Sequence, residues 1–175
     1  MGDERLAPRA ARRGRTRPAR GGIVKTKVSA LDGWFDANPE RPRLIGSRCG
    51  SCRSYFFPKE TFACRNPSCG SAELADVALS ATGTLWSYTD NHYQPPAPYV
   101  SPEPFVPYAI AAVELADEKM VVLGQVAHGV ATADLKVGMR MELVAETLYS
   151  DDAKEYLVWK WTPAARSASP ARSRS

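Results

Sequence analysis

Residues 49–70 read CGSCRSYFFPKETFACRNPSCG, with Cys49, Cys52, Cys64 and Cys69 spaced C-x2-C, eleven residues, then C-x4-C. These are the only cysteines in the 175-residue chain, and they fall within one short stretch. Two close pairs on either side of a hairpin-length segment spell a zinc ribbon, in which each pair forms a knuckle and four thiolates hold one tetrahedral ion. Gly50 and Gly70 follow Cys49 and Cys69, where tight turns aim backbone N–H groups at sulfur. The intervening SYFFPKETFA reads as a hairpin with its aromatics packed over the site. A site that uses all four thiolates is closed and therefore structural, and it leaves no free thiol for nucleophilic catalysis. Iron in a rubredoxin-like site suits the same four sulfurs. Disulfides have no support, because the apolar core of a secretory signal is missing from the N-terminal stretch.

Outward from the cysteines, the chain divides by composition. Residues 1–22 carry seven Arg against two acids among Ala, Gly and Pro, and 164–175 carry three Arg and no acid. Both read as disordered, since they bury too little apolar surface to offset the entropy of ordering. An organellar transit peptide or a nucleic-acid-binding arm also fits the arginines of residues 1–22. Residues 23–163 hold 13 basic and 17 acidic side chains, so the body is acidic although the whole chain is +4. That balance argues against nucleic acid, whose phosphates call for clustered Lys and Arg on the folded surface. No run approaches the ~18 apolar residues of a transmembrane helix. The expected location is cytoplasmic.

Residues 23–45 form an N-terminal segment in which Ser29 could cap a short helix with Leu31, Trp34 and Phe35 on one face. The ribbon occupies 46–70. Residues 71–163 read as five strands: Val77 to His92 with a bulge at Gly83, Tyr108 to Leu115, Lys119 to Val126, Met139 to Leu148, and Glu155 to Trp161. Five short strands over this length predict a mostly β chain ending in an OB-fold barrel, with a sandwich fragment as the alternative. Residues 93–107, YQPPAPYVSPEPFVP, hold six Pro and three aromatics. Such a stiff, long connection either presents an apolar surface to a partner or ligand, or packs as a rigid crossover.

The chemistry-bearing residues outside the ribbon are sparse. His92 lies two residues from Asp90 at a strand end, and His128 precedes Gly129 in a loop. Neither has an evident nucleophile or metal partner, and phosphate-loop, H-E-x-x-H and G-x-S-x-G motifs are absent. No complete catalytic site is expected in this chain.

The order of short helix, four-Cys ribbon and five-stranded barrel resembles the bacterial and archaeal zinc-ribbon plus OB-fold proteins associated with acyl-CoA metabolism. The resemblance runs over about residues 28–163. It rests on Gly33-Trp34-Phe35, on LIGSRCGSC (44–52), YFFP (55–58), Cys69-Gly70-Ser71, GTLWSYT (83–89), Gly124-Gln125-Val126 and VGMRM (137–141). The C-x4-C knuckle departs from the commoner C-x2-C, and the Arg-rich arm lies outside the pattern. The resemblance implies one structural zinc on Cys49, Cys52, Cys64 and Cys69. It also implies a hetero-oligomer with a thiolase-like subunit that supplies the catalytic Cys and His for cleaving a coenzyme A thioester, by thiolysis or retro-aldol chemistry. Trp34, Phe35, Tyr99 and Phe105 are the expected contacts to that partner or to the acyl-CoA, with ordinary packing as their alternative. A single-strand nucleic-acid binder and a free-standing acyl-CoA binder are the competing readings.

Overall fold

A computed structural model describes residues 25–38, 40–97 and 99–165. The arm at 1–22 and most of the C-terminal tail lie outside the described residues. Two sheets make up the rest. The ribbon sheet contains β2 (Phe35–Asp36), β3 (Arg43–Cys49), β4 (Tyr55–Phe56) and β5 (Leu74–Ala78), with β3 at its centre and every pairing antiparallel. The barrel contains β6 (Thr82–Asn91), β7 (Tyr108–Leu115), β8 (Met120–Val126), β9 (Arg140–Ser150) and β10 (Lys154–Pro163). Its strands neighbour one another in the order β6-β7-β8-β10-β9, and β9 pairs back onto β6 to close the circle. That is the five-stranded Greek-key closure of an OB-fold.

Four of the five expected barrel strands lie within a residue or two of their sequence positions, because alternation dictates which side chains face inward. In β9, Met141 and Leu143 are buried while Arg140 and Glu142 are exposed. The turns follow their residues too. Asp151 Oδ1 accepts from the N–H groups of Ala153 and Lys154 at 2.8 and 2.7 Å, closing the β9–β10 hairpin. Gly138, at φ +89°, turns the chain into β9, and its N–H donates to Leu85 O.

Four expectations give way. The described residues of 28–45 contain no helix: Thr26–Ser29 is a strand, β1, which pairs in parallel with β10, and a turn leads into β2. The Ser29 hydroxyl both accepts from the Leu31 N–H and donates to the Leu31 carbonyl, and Gly33 sits at φ +74°. Those local bonds compete with a helical turn, and the open edge of β10 offers Thr26 and Val28 a ladder instead. The strand expected over Val77–His92 is two strands, since its first residues complete the ribbon as β5 before the chain crosses to β6. The β6 bulge falls between Leu85 and Ser87, at Trp86, while Gly83 keeps a regular ladder with Met141. The segment between the knuckles forms only the two-residue β4 and then a series of bends. Phe57 of that segment packs towards the barrel, and Phe62 is 89% exposed, so these aromatics do not roof the cysteines.

One continuous core joins the two sheets. Leu85, Val113, Leu115, Met141 and Trp161 fill the barrel, and Phe35, Leu44 and Leu79 carry the core into the ribbon. Trp34, Phe35 and Phe57 all meet Trp159 at ring-centroid distances of 5.6–6.1 Å, so an aromatic cluster docks the ribbon on the barrel.

Candidate functional site

The four cysteines converge. β3 delivers Cys49 at its last residue, and the chain then turns so that Arg53 N–H donates to Cys49 O at 3.0 Å and Cys49 N–H to Ser54 O at 2.9 Å. The left-handed residue of this knuckle is Arg53, at φ +66°, rather than Gly50. Gly50 N–H donates to Glu73 O at 2.8 Å, and an added Cβ would lie 3.3 Å from the Glu73 carboxylate. The second knuckle is organised by Asn66. Its carbonyl accepts from the N–H groups of Cys69 and Gly70, and its side-chain oxygen accepts from Ser68 N–H. This extra turn absorbs the four residues of the wider C-x4-C spacing, with Gly70 at φ +61° supplying the left-handed exit.

All four Sγ atoms lie within 4.8 Å of one another, with Cys49–Cys69 at 3.8 Å and Cys52–Cys64 at 3.5 Å. A tetrahedral ion with sulfur at ~2.3 Å sets its ligands ~3.8 Å apart, so the donor set fits a thiolate-bound metal. Cys49 and Cys64 are buried, while Cys52 and Cys69 are partly exposed. Cys52 is drawn down to about 6, first by the Ser54 hydroxyl beside its sulfur and then by the Ser54 N–H. Cys49 is lowered chiefly by the backbone N–H of Cys52. Burial pushes Cys64 up to about 12. The ring of donors around the first pair favours thiolates there, which is what a metal knuckle requires.

The other residues singled out from sequence are scattered. Trp34 is 36% exposed and stacks on Trp159. Phe35 is buried in the core, with its ring edge-on to Trp159. Tyr99 and Phe105 flank Tyr108, at 6.2 Å each, on the proline-rich connection. Tyr99 OH accepts from Gln125 Nε2 at 2.7 Å. His92 and Asp90 are both exposed with 3.9 Å between them, and Asp90 accepts from the Thr132 hydroxyl.

One cluster escaped the sequence. Lys160 stands between Trp159 and Trp161 on β10, where alternation assigns it to solvent, yet it is only 3% exposed. Its Nζ lies 3.1 Å from Glu146 Oε2 and 3.0 Å from His128 Nε2. A charged residue between two tryptophans hints at a strand covered on both faces, but nothing local identifies its partners.

Comparisons with known proteins divide the chain within β5, the last strand of the ribbon sheet. Residues 38–75 match the family described as the rubredoxin-like zinc ribbon domain of ChsH2, and residues 76–146 match the C-terminal OB-fold domain of ChsH2. A DUF35 domain-containing scaffold protein of Methanocaldococcus jannaschii is 31% identical over 116 residues, which is 64% of this chain and 74% of that protein. Among solved structures, a chain of the Ltp2-ChsH2(DUF35) aldolase is 30% identical with a TM-score of 0.53, covering 75% of this chain and 92% of that one. No helix among the described residues is long and apolar enough to cross a membrane.

Proposed function

Since this chain belongs to the DUF35 family of zinc-ribbon and OB-fold proteins, we propose that it is the scaffold subunit of a hetero-oligomeric acyl-CoA enzyme. In this reading it binds one structural zinc, and a thiolase- or aldolase-like partner supplies the groups that make or break the carbon–carbon bond of a coenzyme A thioester. The observation that carries the reading is the 30% identity to a chain of the Ltp2-ChsH2(DUF35) aldolase, with 92% of that chain covered. The chain's own chemistry supports it. All four thiols belong to one closed metal site, so no cysteine is left free as a nucleophile. Exposed Phe62, Trp86 and Tyr93 offer apolar contact to a partner, and Trp34, Tyr99 and Phe105 are the proposed contacts to that partner or to the acyl-CoA. A single-strand-binding role fits poorly with a folded body of 13 basic and 17 acidic residues.

The test is mild affinity purification of the tagged chain from its native cell, followed by native mass spectrometry and elemental analysis. A stoichiometric second polypeptide, one zinc per chain and acyl-CoA cleavage by the pair but by neither alone are expected. A zinc-loaded chain that elutes by itself from cells expressing its neighbours in metabolism overturns the subunit reading.

A further inference from the structure

Behind the proline-rich connection lies a cavity of about 490 Å³, bounded by residues 99–102 and 106–109, the end of β8, the turn at 127–130 and the ends of β9 and β10. Its wall is largely apolar, with Val100, Pro102, Val106, Val130 and Leu148 among its side chains. Only two of its lining residues can carry a positive charge, Lys160 and His128, and no lining residue carries a negative one. The carboxylate that balances Lys160 belongs to Glu146, which is not among the lining residues. Its Oε2 accepts from Lys160 Nζ at 3.1 Å and from the His128 backbone N–H at 3.1 Å.

The cluster therefore has two charge states. With a neutral imidazole, His128 Nε2 accepts from the Lys160 ammonium, and Lys160 and Glu146 cancel. A proton on His128 removes that acceptor, frees a Lys160 N–H and leaves the cluster at +1. Histidine is the side-chain type that makes such a change near neutrality, whereas burial pushes the Tyr108 phenol, which also faces the cavity, above the usual phenol range. The charged groups packed against His128 are Lys160 from β10 and Glu146 from β9.

We propose that this cavity is a binding site for an amphipathic monocarboxylate, with the carboxylate at Lys160 and His128 and the apolar chain along Val100, Val106 and Val130. One net positive charge matches one negative charge. A dianion would bury charge without a partner, at a large desolvation cost. With His128 protonated, an uncharged apolar molecule would leave the freed Lys160 N–H unanswered. The site stands apart from the metal centre and does not depend on the partner-subunit reading.

The test uses the full, zinc-loaded chain with octanoate as the probe and octanamide as its uncharged counterpart, titrated by NMR shifts at about pH 6 and about pH 8. Octanoate is expected to bind about fivefold or more tightly at the lower pH, and octanamide to show no such gain. Val106→Trp, at a residue 60% exposed, fills the mouth with little risk to folding and is expected to weaken octanoate about tenfold. His128→Gln is expected to keep binding but lose the pH dependence. Absence of octanoate binding at pH 6, equal affinity at the two pH values, or binding that survives Val106→Trp in a variant that melts like the wild type overturns the proposal.

Discussion

The indole N–H of Trp159 donates to the carbonyl of Leu123 at 3.0 Å, across the part of the barrel where β8 and β10 share no ladder. β8 meets β10 only at Gln125–Val126, while the first half of β10 pairs with β1. One side chain thus satisfies a backbone group that a neighbouring strand would otherwise serve, and the same ring carries the stack of Trp34 and the edge contacts of Phe35 and Phe57.

Trp161, two residues on, is fully buried but its indole N–H has no acceptor. Replacing Trp159 by Phe removes a hydrogen bond to the Leu123 carbonyl; replacing Trp161 by Phe removes none. Trp159→Phe should therefore cost about 0.5–1.5 kcal/mol more in hydrogen bonding than Trp161→Phe, although Trp161 is the deeper residue. Urea unfolding midpoints of the two variants, measured side by side, check the order.

Gly124 lies against both rings. A methyl added there would meet Trp161 Cδ1 at 2.8 Å and Trp159 Cδ1 at 3.1 Å. Gly124→Ala should destabilise by about 1–3 kcal/mol and alter the near-UV circular dichroism of the tryptophans. An unchanged spectrum and midpoint would show that the rings move aside freely.

Metal removal should act on the whole molecule. Cys64→Ser, or a strong chelator, takes away the ion that the knuckles enclose, and the coupling of metal binding to folding in such sites is large. Because the ribbon is docked through Trp34 and Phe57 on Trp159, the melting temperature of the barrel should fall with it. Amide exchange that leaves Arg43–Cys49 and Leu74–Ala78 fully protected after metal removal would contradict this.

The Asp151 carboxyl is held below the usual carboxylate range by the N–H of Ala153, then that of Lys154, with Tyr156 OH adding to them. A depressed folded-state value contributes stability above the unfolded value of ~3.9 and loses it as pH falls through the folded one. Asp151→Ala should therefore lower the melting temperature at neutral pH, and the gap from wild type should close as the pH is taken well below 4. A gap independent of pH would mean that the carboxylate charge plays no part in the β9–β10 turn.

The sequence by itself determined the metal centre and most of the barrel. Four cysteines at knuckle spacing can converge on one point with only local turns, and the alternation in Arg140–Ser150 or Tyr108–Leu115 fixes a strand's buried face without knowledge of its neighbours. The tertiary structure decided whatever depends on a distant partner. Thr26–Ser29 is a strand because β10 has an open edge; Val77 belongs to the ribbon because β3 lies beside it; Phe57 turns from the cysteines because Trp159 is there to receive it. Lys160 is the sharpest case. Its neighbours in sequence place it in water, and only the approach of Glu146 and His128, 14 and 32 residues away along the chain, makes its burial possible, since a buried ammonium needs its partners within reach.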